Sequence, residues 1–141
     1  MKIYTSYFGN LKALAKNDIV PISIARWSPK WYEGFKLLYA APTYEMVKGD
    51  ITREQYIEKY DVILKNLNVA YFVQRLKEIG GGKDVALLCY ERPEEFCHRH
   101  LLADYMNKLG YDVQEFKGEV VEVKVEEKKK EPEQLSLFDM F

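Results

Sequence analysis

Cysteine is scarce in this sequence, which holds two in 141 residues. Two cysteines in a chain of this length do not form the disulfide scaffold that staples small secreted domains. The sequence also lacks any run of 18 apolar residues and any apolar signal-peptide core near its N-terminus. We therefore expect a cytoplasmic protein with reduced thiols and no membrane partner.

An excess of charge of one sign is also missing. The 21 basic and 22 acidic residues give a formal net charge of -1. Domains that coat nucleic acid through bulk charge are usually strongly basic, so this composition excludes that class. Apolar residues make up 48% and charged residues 30% of the chain, an ordinary globular balance. The length suits a single domain that buries its own core.

Strand-like and helix-like segments alternate along the chain. Short β-branched or apolar runs predict strands at residues 2–7, 19–26, 84–90, 111–116 and 119–125. Helices are predicted at residues 11–17, 51–67, 68–82 and 93–110, where apolar residues recur at helical spacing. The alternation predicts an α/β fold, with a mostly parallel sheet flanked by helices in three layers.

Local signals fix several helix ends. Thr52 and Gln55 match a capping box, which places Thr52 at the N-cap of the second predicted helix. Asn68 is a suitable N-cap for the next helix, and Gly110 follows the last one. Residues 27–50 mix aromatics with Gly and Pro, which indicates a long irregular connection with one or two helical turns.

The C-terminal region divides into a linker and a peptide. The run "EEKKKEPE" at residues 126–133 has nothing to bury, whereas "QLSLFDMF" at 134–141 carries two Leu and two Phe. We therefore interpret residues 1–125 as one α/β domain, 126–133 as a charged linker and 134–141 as a separate peptide.

The densest chemistry lies in "LLCYERPEEFCHRHLLADYM", residues 87–106. Ligands of open α/β folds bind outside the carboxyl ends of the strands, where helix N-termini also favour anions and thiolates. The candidate catalytic residues stand at a strand end and at the start of the next predicted helix: Cys89, Glu91, Cys97, His98 and Arg99. Arg99 offers a planar fork for a phosphate or carboxylate.

Structural roles compete with this interpretation. Both cysteines could be small core residues, and Arg99 could pair with Glu95 on a helix surface. Zinc ligation by both cysteines with His98 and His100 matches no common spacing, and neighbours on a helix point about 100° apart. The sequence therefore predicts no metal site, identifies no cofactor, and favours Cys89 over Cys97 as the partner of His98.

Aromatic residues beside a basic one suggest a substrate surface. Arg26 and Trp27, with Trp31 and Tyr32 close by, have the composition of a site that stacks on a nucleobase. The alternative is a loop packed onto the core, since aromatics mainly bury area. We assign Arg26, Trp27 and Tyr60 to substrate binding.

The segment at 87–106 resembles the hallmark of the YeaO-like proteins of bacteria and their phages, a family known as domain of unknown function 488. That hallmark is a strand ending in Cys, an acid two residues on, and Cys-His-Arg at a helix start. "AAPTYEMV", "YIEKYDVIL" and "ISIARWSPKWYEG" resemble other family segments, so the likeness covers residues 1–116. The resemblance implies an α/β fold with a cleft at Cys89 to Arg99, and no agreed reaction.

The C-terminal peptide resembles a second known pattern. Gln134, Leu135, Ser136, Leu137 and Phe138 match the pentapeptide by which bacterial replication and repair proteins dock on the DNA sliding clamp. The resemblance implies that Leu137 and Phe138 enter a pocket while Gln134 binds its rim. The eukaryotic clamp motif does not fit, because Met140 occupies an aromatic position. The alternative is a tail that folds back onto its own domain.

Three functions remain open from the sequence. The first is a clamp-recruited protein of DNA replication, repair or nucleotide metabolism that uses the cleft as an enzyme and meets DNA indirectly, through the clamp. The second is a non-catalytic clamp-binding regulator. The third is a thiol or small-molecule enzyme unrelated to DNA, with a self-docked tail.

Overall fold

The computed structural model describes residues 1–90 and 97–118, in which five strands and five helices follow one another. The strands are β1 Ile3–Tyr7, β2 Val20–Ser23, β3 Phe35–Lys36, β4 Val85–Cys89 and β5 Val113–Glu115. The helices are α1 Leu11–Lys16, α2 Tyr44–Lys48, α3 Arg53–Asn66, α4 Val69–Gly80 and α5 His98–Lys108, with short 3-10 turns at Phe8–Asn10 and Leu38–Ala40.

The five strands form one parallel sheet in the order β3-β2-β4-β1-β5. The α/β fold with a parallel sheet is therefore confirmed. The connection that leaves β1 crosses β4 to reach β2, whereas the connection that leaves β4 crosses β1 to reach β5. These opposite directions create a switch point, and ligands of such sheets bind beside it at the carboxyl ends of the strands.

Strand β4 shows why the sheet has helices on both faces. All five of its residues are buried, as expected for a central parallel strand. Val85 and Leu87 pack into one apolar cluster with residues of α3, α4 and α5. Ala86 and Leu88 pack into a second cluster that includes residues of α1. Successive side chains point to opposite faces, so β4 anchors both halves of a three-layer core.

Three predicted helix ends agree with the structure. The Thr52 hydroxyl accepts a hydrogen bond from the backbone N–H of Gln55. The Gln55 side chain accepts one from the backbone N–H of Thr52, which completes the capping box. Asn68 accepts from the backbone of Tyr71 as the N-cap of α4. Gly110 follows α5 with φ 101°, the left-handed region that Gly enters without strain.

The connection at 27–50 contains the two-residue strand β3, which the sequence did not predict. The expected strand at 119–125, the linker and the terminal peptide lie outside the described residues, as does Glu91. Within the described ranges, none of the helices has the length and apolar character needed to cross a bilayer.

Candidate functional site

The two cysteines meet where β4 ends and α5 begins. Cys89 is the last residue of β4, and Cys97 is the N-cap of α5. The structure joins their sulfurs as a disulfide, with the Cα atoms 7.2 Å apart. This structure therefore differs from our expectation of two reduced thiols. Both residues are buried in the cluster that contains α1, which also agrees with a packing role.

Cys97 and His98 face each other, contrary to our prediction. Cys97 Sγ lies 3.8 Å from His98 Nδ1. Neighbouring side chains point about 100° apart only when both residues are helical, but Cys97 has an extended backbone with φ -156° and ψ 147°. The helix starts only at His98, so the neighbouring side chains can converge.

The environment of His98 fixes its tautomer and its charge. Its Nε2 lies 3.0 Å from the carbonyl oxygen of Ile24, which only accepts, so Nε2 carries the hydrogen. Nδ1 then presents a lone pair to Cys97. Burial lowers the pKa of His98 to about 4; the positive charge of Arg99 adds to this effect and the Ile24 carbonyl opposes it. The imidazole is therefore neutral at pH 7.

Arg99 lies in the interior and does not offer its fork to solvent. Its side chain is 0% exposed, so Arg99 does not lie on a helix surface as the alternative role assumed, and Glu95 lies outside the described residues. Nε and Nη2 donate to the two carboxylate oxygens of Glu115, at 3.1 and 3.0 Å. Nη1 donates to Cys89 Sγ at 3.0 Å. Arg99 thus supports the sulfur of Cys89 rather than presenting its fork to a ligand.

Glu115 is a site residue that sequence reasoning missed. It also accepts from the Thr5 hydroxyl at 2.6 Å, which ties β1, β5 and α5 together. The sequence did indicate an inward position for Glu115, because strand alternation puts it on the same side of β5 as the buried Val113. An acid at an inward position of a strand predicts a buried cationic partner.

A cavity of about 450 Å³ opens beside this cluster. Cys89, Cys97 and His98 line it, together with Arg26 and Trp27 from the loop after β2. Arg26 is oriented by a 2.8 Å bond from Nε to the carbonyl of Pro42. The Trp27 ring meets Tyr44 edge-on and is 48% exposed. Two of the three predicted substrate-binding residues therefore face the same space as the cysteines.

The other predicted residues occupy different places. Tyr60 is fully buried and does not line the cavity; its hydroxyl donates to the Ala40 carbonyl at 2.6 Å. Its ring lies edge-on to His98 with centroids 5.5 Å apart, so it supports that imidazole. Tyr32 is packed in the core, whereas Trp31 is exposed. A second cavity, between α3 and α4, holds no Cys, His, acid or base.

The cluster has the donor atoms of a metal site. One ligand atom each from Cys89, Cys97 and His98 lies within 4.8 Å of the others. His100, which our zinc hypothesis also included, is not in this group. Its buried Nε2 has no hydrogen-bond partner among residues 1–90 and 97–118. Two sulfurs and an imidazole nitrogen at a cavity wall suit either thiol chemistry or ligation of a soft metal ion.

Comparison with known proteins identifies a family. Residues 18–110, about two thirds of the chain, match the model described as the active DUF488-N3 subclade. This range contains both cysteines, His98 and Arg99, and it agrees with the resemblance drawn from the sequence. No curated protein and no solved structure gives a significant match.

Proposed function

This chain belongs to the DUF488 family, and we propose that it is a clamp-recruited enzyme acting in DNA replication, DNA repair or nucleotide metabolism. One observation carries the enzyme assignment: Cys89, Cys97 and His98 converge on one cavity at the carboxyl end of β4. Sites with convergent polar groups and a perturbed pKa are the usual places of catalysis. His98 is buried there as a neutral imidazole, and its Nδ1 can accept a hydrogen bond or bind a metal.

The cavity wall supports a nucleotide as the substrate class. The half-exposed Trp27 offers an aromatic face, and base–aromatic stacking contributes about 1–3 kcal/mol per base. Arg26 lies on the same wall and supplies a positive charge for a phosphate. Arg53, at the start of α3, adds a second basic residue to the lining. An aromatic ring with two cations around a thiol–imidazole cluster fits a planar anionic ligand.

Recruitment to DNA is proposed from the C-terminal sequence. "QLSLF" at residues 134–138 matches the bacterial clamp-binding pentapeptide at every position. The linker at 126–133 would span about 16 Å as a flexible coil, which permits a domain to sit beside a ring. Such tethering raises the local concentration to roughly millimolar. A net charge of -1 is compatible with this arrangement, because the clamp supplies the attachment to DNA.

Nucleotide binding tests the cleft. Calorimetric titration of the full chain with nucleoside mono- and triphosphates should show binding. The Trp27→Leu variant should bind about 5- to 150-fold more weakly, since loss of one stacking partner removes about 1–3 kcal/mol. Trp31→Leu is the matched control, because Trp31 is exposed and does not line the cavity. Equal affinity of both variants and the wild type, or no binding at all, would contradict the substrate class.

The disulfide favours a second candidate, a thiol–disulfide enzyme unrelated to DNA. In that reaction the reduced Cys89–Cys97 pair would give two electrons to a substrate disulfide, which leaves as two thiols while the protein disulfide re-forms. Turnover of a small aromatic disulfide in the presence of a thiol reductant tests this. Turnover that Cys97→Ser abolishes, in a protein that no sliding clamp captures, would establish the second candidate.

A further inference from the structure

We propose that the reduced protein binds one Zn²⁺ through Cys89, Cys97 and His98, with the fourth coordination position directed to the cavity. This inference deepens the proposed function, because the ion would be the reactive centre of the same cleft. All three residues line the cavity. Three protein ligands with an accessible fourth position are typical of catalytic zinc, whereas structural zinc has four protein ligands.

The spacing of the ligand atoms fits tetrahedral zinc. Zinc–sulfur and zinc–nitrogen bonds of ordinary length place sulfur and nitrogen ligands about 3.6 Å apart, and Cys97 Sγ lies 3.8 Å from His98 Nδ1. The Cα atoms of Cys89 and Cys97 are 7.2 Å apart, beyond the range of about 4.4–6.8 Å usual for a disulfide. After reduction, the backbone therefore has room for two sulfurs about 3.8 Å apart around an ion.

The surrounding residues orient the ligands as in known zinc sites. A metal-binding His usually donates its other ring N–H to a carbonyl or carboxylate. His98 does this through Nε2 to Ile24, which leaves Nδ1 to face the sulfur. Nη1 of Arg99 donates to Cys89 Sγ at 3.0 Å, and this contact stabilises a thiolate. Glu115 in turn holds the guanidinium in place.

The charges also favour an ion between the sulfurs. Cys89, Cys97 and His98 are 1%, 3% and 5% exposed. Two thiolates alone would leave two negative charges in this dry site, which is costly. A Zn²⁺ ion neutralises both thiolates, and the positive Arg99 is already neutralised by Glu115. Two soft sulfurs with an imidazole favour zinc over magnesium or calcium, which prefer oxygen ligands.

The proposal defines a reaction class for the cleft. Binding displaces one proton from each thiol, and the neutral imidazole loses none. A water molecule in the open position would be acidified by the ion and become a nucleophile near neutral pH. Arg26 and Trp27 line the same cavity, so a ligand held there would meet that water. The class is therefore metal-assisted hydrolysis of an aromatic, anionic substrate.

Metal content of the full chain tests this site. A trialkylphosphine with one water reduces the disulfide to two thiols and becomes the phosphine oxide. The reduced protein is then desalted without oxygen and titrated with Zn²⁺ or Co²⁺. We expect one ion per chain, and a cobalt spectrum with the sulfur-to-metal charge-transfer band and intense visible bands of a tetrahedral thiolate site. Cys89→Ser, Cys97→Ser and His98→Gln should weaken binding by more than the roughly 100-fold that loss of a supporting residue costs.

His100→Gln is the matched control, because His100 lies on the same helix and outside the ligand group. It should bind zinc like the wild type. Reduced wild-type protein without stoichiometric metal, or with a cobalt spectrum that lacks the sulfur band, would overturn the zinc site even if a variant fails to fold. Nucleotide binding and clamp capture are measured on the same samples. If nucleotide binding and clamp capture persist in protein that binds no zinc, only the zinc site is refuted. If one zinc binds but nucleotide binding and clamp capture are absent, only the proposed function is refuted.

Discussion

Arg99 and Glu115 form a two-point ion pair inside the protein, with Nε and Nη2 of Arg99 donating at 3.1 and 3.0 Å to the two carboxylate oxygens. Their side chains are 0% and 13% exposed. The pair joins α5 to β5, and the remaining guanidinium nitrogen reaches Cys89 at 3.0 Å. A guanidinium this deeply buried is tolerated because each of its three nitrogens donates to a partner and the carboxylate balances its charge. The same pair therefore supports the fold and the sulfur at the candidate site.

Removal of one partner of this pair should destabilise the fold strongly. Arg99→Met leaves the carboxylate of Glu115 without its cation, and such a loss typically costs about 3–5 kcal/mol. Chemical denaturation monitored by circular dichroism measures the change. The double variant Arg99→Met/Glu115→Leu should be more stable than Arg99→Met alone, because no uncompensated charge remains.

A surface pair provides the control for that experiment. Lys65 and Asp61 form an exposed ion pair one helical turn apart, with side chains 71% and 47% exposed. Exposed pairs contribute little to stability, so Lys65→Ala should leave the unfolding midpoint nearly unchanged. Equal losses of unfolding free energy for Arg99→Met and Lys65→Ala would show that the buried pair contributes no more to stability than the exposed pair.

Acid should destabilise the metal-free protein through His98. Burial lowers the pKa of His98 in the folded state to about 4, whereas an unfolded histidine titrates near 6.5. Between these values the unfolded chain binds the proton and the folded chain does not. The contribution of His98 is therefore complete above about pH 6.5 and is lost as the pH falls toward 4, by a few kcal/mol.

Comparison with His98→Gln isolates this contribution from carboxylates that titrate in the same range. The difference in unfolding free energy between wild type and variant should shrink between pH 6.5 and pH 4. A constant difference over that interval would mean that His98 protonates in the folded protein without cost.

Tyr60 should act as a support for His98 and for the chain at Ala40. Tyr60→Phe keeps the ring beside the imidazole but removes the hydroxyl that donates to the Ala40 carbonyl at 2.6 Å. A buried carbonyl that loses its donor costs about 1–3 kcal/mol, which should lower the melting temperature by several degrees. Tyr44→Phe, in an exposed ring, should change it little. A Tyr60→Phe protein as stable as the wild type would contradict this role.

The parts of the fold that the sequence predicted depend on short-range physics. The capping box of Thr52 and Gln55 joins residues three apart, so its geometry is settled within one helical turn. The apolar run that became β4 predicts a strand buried on both faces, whatever its neighbours are. By contrast, β3 consists of two exposed residues whose extended form depends on pairing with β2, and no local pattern reveals it.

The site was predicted in its residues but not in its contacts. Cys89, Cys97 and His98 were identified because a strand end and a helix start converge in this fold class. The contact between Cys97 and His98 was missed because acids and a proline upstream suggested an earlier helix start, whereas α5 begins at His98. The Arg99–Glu115 pair joins residues 16 apart through the tertiary fold, which local patterns cannot encode.

The C-terminal peptide gives the prediction on which the DNA assignment depends. Replacing Leu137 and Phe138 with Ala should abolish binding to a bacterial sliding clamp and leave the melting temperature unchanged. A short peptide relies on a few anchors, and loss of one typically costs about 2 kcal/mol or more, roughly thirtyfold in affinity. The unmodified motif should bind with roughly micromolar affinity, so the loss is easy to measure by calorimetry or fluorescence polarisation.

Two further measurements decide between a docking peptide and a tail packed on its own domain. Met140→Ala is the matched control for the anchors, because it truncates an apolar side chain outside the pentapeptide; it should retain most of the clamp affinity. The isolated peptide 130–141 should bind the clamp about as tightly as the full chain does, since the proposal requires no contact from the α/β domain. If that peptide does not bind, or if the Leu137→Ala/Phe138→Ala protein melts several degrees lower, the tail contributes to the fold. The cleft would then have to be explained without the clamp, and the thiol–disulfide enzyme would become the stronger assignment.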